Sequence, residues 1–157
     1  MNSTVLTMAA SRPLEVIVAD DEPADNLLLA MAAQDAQVDM NFTFAEDGEE
    51  LLQLLIDRVE AGNAPDVVVL DLRMPRCNGL EAMEAISLSQ VLRRIPVVMF
   101  TTSRRAADME RGLSLGATRF EIKPSSYPEL VAFANELVEV VQESEEDGPT
   151  RPIDRRK

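Results

Sequence analysis

The sequence predicts an α/β fold built on a parallel sheet. Five short β-rich runs alternate with five helix-like segments, and strands alternating with helices close parallel sheets through right-handed crossovers. The runs VVVL and VVMF are continuously apolar and partly β-branched, as expected of strands covered by helices on both faces. A third observation concerns polar residues. Asp20 and Asp21 follow LEVIVA, Asp71 follows VVVL, Thr101 follows IPVVMF, and Lys123 follows RFEI. Strand ends of one sense share one edge of a parallel sheet, so these residues are expected to meet. Three carboxylates, a hydroxyl and an ammonium together suit Mg²⁺ and a phosphoryl group, and suggest an aspartate that becomes phosphorylated.

The strands read as residues 14–20, 39–45, 66–71, 95–101 and 118–122. The second alternates, with Met40, Phe42 and Phe44 on one face, and reads as an edge strand. Pro23 suits the first turn of the first helix, which carries Leu27, Leu28 and Met31 as its apolar positions. Asp47-Gly48 turns into the second helix, where Leu51, Leu52, Leu55 and Val59 form a stripe. Asn78-Gly79 precedes the third, with Leu80, Met83 and Ile86. The fourth, roughly 105–115, has the weakest pattern. Ser126 with Glu129 fits a capping box for the fifth, followed by Leu130, Phe133, Leu137 and Val141.

The length of 157 residues suits one domain with a substantial core. A net charge of −13 argues against nucleic acid or an anionic membrane surface as a direct partner. No apolar run approaches the ~20 residues of a membrane helix. The N-terminal MNSTVLTMAAS lacks the basic segment of a signal peptide, and the single cysteine, Cys77, fits a reducing, cytoplasmic compartment. The chain has no histidine. This excludes Ser-His-Asp and Cys-His catalysis, imidazole metal ligands and a role as histidine phosphodonor, so any metal is expected to be oxygen-liganded. Three segments are expected: an N-terminal extension over 1–12, a folded domain over 13–141, and a flexible charged tail over 142–157. The tail holds one apolar residue in sixteen, Ile153, and so cannot bury a face of its own.

The segments VIVADDEP, VVVLDLRMPRCNGLEAM, IPVVMFTTS and Lys123-Pro124 resemble, in order and spacing, the receiver domain of two-component response regulators. The resemblance covers residues 14–141. ADDEPADNLLL and IPVVMFTTS look most like the single-domain receivers that partner phytochrome-like histidine kinases. The resemblance implies a flavodoxin-like (βα)5 doubly wound sheet in strand order 2-1-3-4-5, with two helices on one face and three on the other.

It also implies roles. Asp71 resembles the phosphoacceptor. Asp20 and Asp21 resemble the acidic pair that holds Mg²⁺ together with Asp71 and the backbone carbonyl of Arg73. Lys123 would pair with Asp71 at rest and with a phosphoryl oxygen afterwards, and Thr101 would donate its hydroxyl to that group. Phe120 resembles the switch aromatic, and the peptide bond before Pro124 is often cis in the family. The implied function is a stand-alone regulator that is no enzyme in its own right. It would take its phosphoryl group from a partner histidine kinase and switch protein contacts around the fourth helix, fifth strand and fifth helix, where a homodimer is also expected. Arg93, Arg94, Arg104, Arg105 and Arg111 are expected to cluster around the fourth strand and helix as a basic face, either solvated or a dimer contact. Cys77 reads as an incidental thiol.

Two other readings compete. Haloacid-dehalogenase-like phosphatases use a nucleophilic Asp, a Ser or Thr, a Lys and paired acids, but in another order, with a second Asp where Arg73 stands here. A degenerate receiver would act only as a binding module, yet all five site positions are present.

Overall fold

A computed structural model describes residues 12–147. The N-terminal extension up to residue 11, and the tail from residue 148, lie outside the described residues. The elements are β1 (Leu14–Ala19), α1 (Pro23–Asp35), β2 (Met40–Ala45), α2 (Gly48–Glu60), β3 (Val67–Leu70), α3 (Gly79–Ser87), a 3₁₀ turn (Leu92–Arg94), β4 (Val97–Thr101), α4 (Ala106–Ser114), β5 (Arg119–Ile122) and α5 (Tyr127–Asp147). All strands are parallel, in the order β2-β1-β3-β4-β5. This is the flavodoxin-like order that the resemblance implies.

Alternate side chains of each central strand point to opposite faces. Val68 and Leu70 of β3 join Ile17, Leu51, Leu55, Met83 and Ile86 in a core under α2, α3 and α4. Val67 and Val69 join Val16, Val18, Leu29, Phe133 and Leu137 under α1 and α5. The helices therefore divide three and two, and β3 is buried at every position. In the second core Phe100 and Phe133 stack with ring centroids 4.0 Å apart. At the β2 edge Met40 and Phe42 pack on that core, while Phe44 is exposed and stacks on Phe42.

The predicted stripes of α2, α3 and α5 face the core: Leu51, Leu55, Met83, Ile86, Phe133, Leu137 and Val141 are all buried. The prediction for α1 was wrong. Leu27, Leu28 and Met31 are 62%, 42% and 45% exposed, and Leu29, Ala32 and Ala33 face inward. The run Leu27–Ala33 is apolar all round, so no polar side marks its outer face. The two alanines let α1 lie close to its neighbours.

Helix ends follow local chemistry. Asp47 Oδ1 accepts from Glu50 N (2.8 Å) at the start of α2. Asn78 and Glu81 form a reciprocal capping box at α3. At α5, Glu129 N donates to Ser126 Oγ at 3.3 Å. That helix continues to Asp147, past the boundary expected at 141, with Gln142, Glu143, Glu145 and Glu146 exposed. A solvated segment can remain helical when its first turns are anchored, because extending a helix costs far less than starting one.

The arginine cluster divides. Arg93 and Arg94 lie in the turn before β4, and Arg104 and Arg105 lie after it. Five strand residues, about 17 Å at ~3.3 Å each, separate the two pairs. Arg111 reaches Glu84 of α3 at 4.0 Å.

Candidate phosphoacceptor and cation site

β1 and β3 are adjacent and in register, Ala19 opposite Leu70, so Asp20 and Asp71 leave the sheet side by side. Asp71 N donates to Ala19 O (2.9 Å) and fixes that alignment. Thr101 ends β4, and Lys123 N donates to Thr101 O (2.7 Å) as β5 ends. Four separate segments thus deliver their polar residues to one edge.

The loop after Asp71 is tied down twice. Gly79 N donates to Leu72 O (2.9 Å), and Gly48 N, at the start of α2, donates to Cys77 O (2.9 Å). The approach at Gly79 is so close that a Cβ there would lie 2.2 Å from Asp71 O. Arg76, in the left-handed region with φ of 64°, pairs with Asp47. Burial pushes the half-buried Cys77 thiol pKa up, helped by Glu81 and Glu49. This favours the inert thiol, in line with an incidental cysteine.

Asp20 and Asp71 are buried and Asp21 is exposed, and one carboxylate oxygen of each lies within 4.8 Å of the other two. Lys123 Nζ donates to Asp20 Oδ2 (2.7 Å), Asp25 Oδ2 (2.9 Å) and Asp71 Oδ2 (3.4 Å). The lysine side chain is 11% exposed, and its Nζ lies 6.0 Å from the centre of the Phe100 ring. Burial works against the ammonium. The hydrogen bonds to Asp20 and Asp25, with the charge of Asp71, outweigh it and raise the Lys123 pKa, so this lysine is charged at any physiological pH. Burial also raises the Asp20 carboxyl pKa, against the lowering effects of Lys123 and Glu22 N.

Four carboxylates at this edge face one ammonium, and a buried carboxylate short of cationic partners has its charged form disfavoured. Three oxygen donors this close fit a hard divalent cation such as Mg²⁺, which takes one or two carboxylates and keeps the rest of its shell for water or phosphate.

The structure therefore brings together Asp20, Asp21, Asp71 and Lys123, with Thr101 at the same edge. Arg73 sits two residues past Asp71 with its side chain exposed. Phe120 is opposite Met99 in the β4–β5 ladder and packs inward, its ring 3.4 Å from where a Cβ on Gly112 would stand. Thr101 is fully buried, and its Oγ1 accepts from Ser103 N (3.3 Å). The peptide bonds of the described residues are all trans, including the one before Pro124.

Sequence reasoning missed Asp25. Its only signal was an acid in the first turn of α1, which reads as an ordinary complement to the helix dipole. Ser103 was also left without a partner: its Oγ donates to Asp108 Oδ2 at 2.6 Å and anchors the loop into α4.

The model of the response regulator receiver domain family matches residues 16–135. The probable methanogenesis regulatory protein FilR2 of Methanothrix harundinacea is 31% identical over 133 residues, covering 84% of this chain and 86% of FilR2. The transcriptional regulatory protein TrcR of Mycobacterium tuberculosis is 36% identical over 124 residues, 79% of this chain, and the match spans 45% of its length. The solved structure of the bacteriophytochrome response regulator AtBRR is 32% identical, with a TM-score of 0.66, and the match covers 82% of this chain and 94% of that one. The matched span holds β2 to β5, β1 from Val16 onward, and every acid and base of the polar edge, and the chain belongs to the response regulator receiver domain family.

Proposed function

We propose that Asp71 accepts a phosphoryl group from the phosphohistidine of a partner histidine kinase. The observation that carries this reading is the placement of Lys123 Nζ between the carboxylates of Asp20 and Asp71, at 2.7 and 3.4 Å, on one sheet edge. In the transfer, the P–N bond breaks and its electron pair stays on the imidazole, while Asp71 Oδ forms the new P–O bond. Asp21 and Asp71 would hold Mg²⁺ directly, with the Arg73 carbonyl, and Asp20 would act through water. Bound there, the ion offsets the charge between carboxylate and phosphoryl group.

Lys123 carries a compact charge on a flexible stem and can follow the phosphoryl oxygens. Thr101 would turn its hydroxyl toward them and Phe120 would follow. The readout is a population shift at the surface of α4, β5 and α5. A cleft of about 420 Å³ on that surface is lined by Arg104, Glu121, Glu129 and Glu136. Loss of the phosphoryl group to water is the only turnover in this reading.

The match runs along nearly the whole of FilR2 and AtBRR, and the output in this reading is protein contact. The AtBRR likeness supports a phytochrome-like kinase as donor. The net charge of −13 supports a protein partner over nucleic acid. The exposed Met109 and Leu113 of α4 support a homodimer through the α4, β5 and α5 face. No described helix is long and apolar enough to cross a membrane, and we place the protein in the cytoplasm with its kinase.

The test is labelling by acetyl phosphate with Mg²⁺, read as a mass gain of one phosphoryl group. Wild type gains it and Asp71→Asn does not. Equal labelling of the variant removes Asp71 from its role. Profiling against autophosphorylated kinases then names the donor.

A further inference from the structure

We propose that Asp25 is a positioning residue that holds the Lys123 ammonium in the resting site and restrains its transfer to an anion on Asp71. An ammonium has three protons and no acceptor. Here they are shared by Asp20 at 2.7 Å, Asp25 at 2.9 Å and Asp71 at 3.4 Å. The phosphoacceptor holds the longest of the three bonds. Asp20 and Asp71 belong to the oxygen set that suits a cation, and Asp25 does not. Asp25 is therefore the one partner of Lys123 with no second demand on it.

The position of Asp25 is set by the backbone. Pro23 starts α1, which places Asp25 in its first turn and turns its carboxylate toward the end of β5. At 42% exposure its charge stays hydrated, so it can keep the ammonium without the burial cost that Asp20 bears. When an anionic phosphoryl group arrives on Asp71, Lys123 must lengthen its bond to Asp25 to follow it. The same carboxylate also repels the incoming anion. Both effects act in one direction: Asp25 weakens the phosphorylated state relative to the resting state.

This inference rests on the phosphoacceptor reading. Asp25→Asn keeps the shape and one acceptor oxygen but removes the charge. Beryllofluoride with Mg²⁺ is the probe. The expected result is binding about fivefold tighter than wild type, the scale of one half-exposed charge. That gap should narrow as salt rises, since exposed charges are screened. In magnesium-free protein, the nitrogen signal of the Lys123 side chain should move in Asp25→Asn. It should stay in place in Asp35→Asn, an acid of the same helix that pairs with Tyr127. Asp25→Glu should retain wild-type affinity. A purely structural acid at a helix start would change the melting temperature and leave probe affinity and the lysine signal alone. Wild type that binds the probe beside an unchanged or weakened Asp25→Asn overturns this inference alone. Wild type that fails to bind it overturns the phosphoacceptor reading and this inference together.

Discussion

Gly79 is where the smallest change should do the most damage. A Cβ there meets Asp71 O at 2.2 Å, Leu72 Cα at 2.8 Å and Asp71 C at 2.9 Å, all backbone atoms that no side-chain rotation can clear. Reaching an ordinary contact of 3.4 Å requires the loop after β3 to open by about 1.2 Å. Overpacking of this kind costs roughly 1–3 kcal/mol. Weakening the Gly79 N to Leu72 O bond adds about 1 kcal/mol, the usual net value of a hydrogen bond. Gly79→Ala should therefore lose about 2–4 kcal/mol, or roughly 4–16 °C in Tm for a domain of this size. The displaced atom is the carbonyl of the phosphoacceptor itself. A misplacement of ~1 Å can cost about 10²-fold in rate, so acetyl phosphate labelling should fall by about ten- to a hundredfold at a temperature where the variant stays folded. Gly62→Ala is the control. It has φ of +80° and no atom within 4 Å of its Cβ, so it should lose about 1–2 kcal/mol from backbone strain and label normally. Denaturant melts and labelling time courses on both variants decide the matter. A Gly79→Ala protein as stable and as reactive as wild type would falsify the claim that this contact sets the position of Asp71.

Other outcomes are equally open to measurement. Phe133→Ala removes one ring of the Phe100–Phe133 stack and should cost about 3–5 kcal/mol in urea unfolding. Mg²⁺ at about a hundred times its Kd should stabilise wild type by about 2.7 kcal/mol, and Asp71→Asn by less at the same concentration, both read from unfolding curves. Burial acts to raise the Asp66 pKa, but the Arg12 guanidinium and Glu15 N outweigh it and hold the carboxyl below its ordinary value. Its stabilisation is thus present above the unfolded value of about 3.9 and is lost as pH falls through the lower folded one. Wild type should exceed Asp66→Asn by about 1 kcal/mol at pH 7, with the gap closing below about pH 4. A gap independent of pH removes the ionised carboxylate from that role.

The polar edge was legible because its signal is doubled. Each predicted site residue at this edge lies at or just past the end of a strand-like run, and a parallel sheet converts that one-dimensional rule into a shared location. α2, α3 and α5 were legible because polar and charged residues mark their outer faces: Glu49, Gln53 and Asp57 alternate with the buried leucines of α2. α1 offered no such contrast, and packing alone chose Ala32 and Ala33 over Leu27 and Met31 as inner residues. The arginines misled because proximity in sequence was read as proximity in space. A strand that crosses the sheet between them carries the two pairs to opposite ends. Asp25 was hidden for a related reason. Its partner lies 98 positions away, and the two meet because the parallel sheet brings the ends of β1 and β5 to one edge, beside the first turn of α1.

The charge balance of the edge sets the order of events there. Asp20, Asp21, Asp25 and Asp71 bring four carboxylates to an edge that holds one ammonium, Lys123, and the resting site is short of positive charge. A phosphoryl anion entering such a site meets net repulsion, while a divalent cation meets attraction. Lys123 cannot correct the imbalance alone, because its three protons are already shared among Asp20, Asp25 and Asp71. Cation binding should therefore precede phosphoryl uptake. Any substitution that removes a carboxylate outside the cation set should relax the requirement, whereas removing one inside the set should tighten it. Asp25 and Asp21 are thus expected to act in opposite directions, although only four positions separate them.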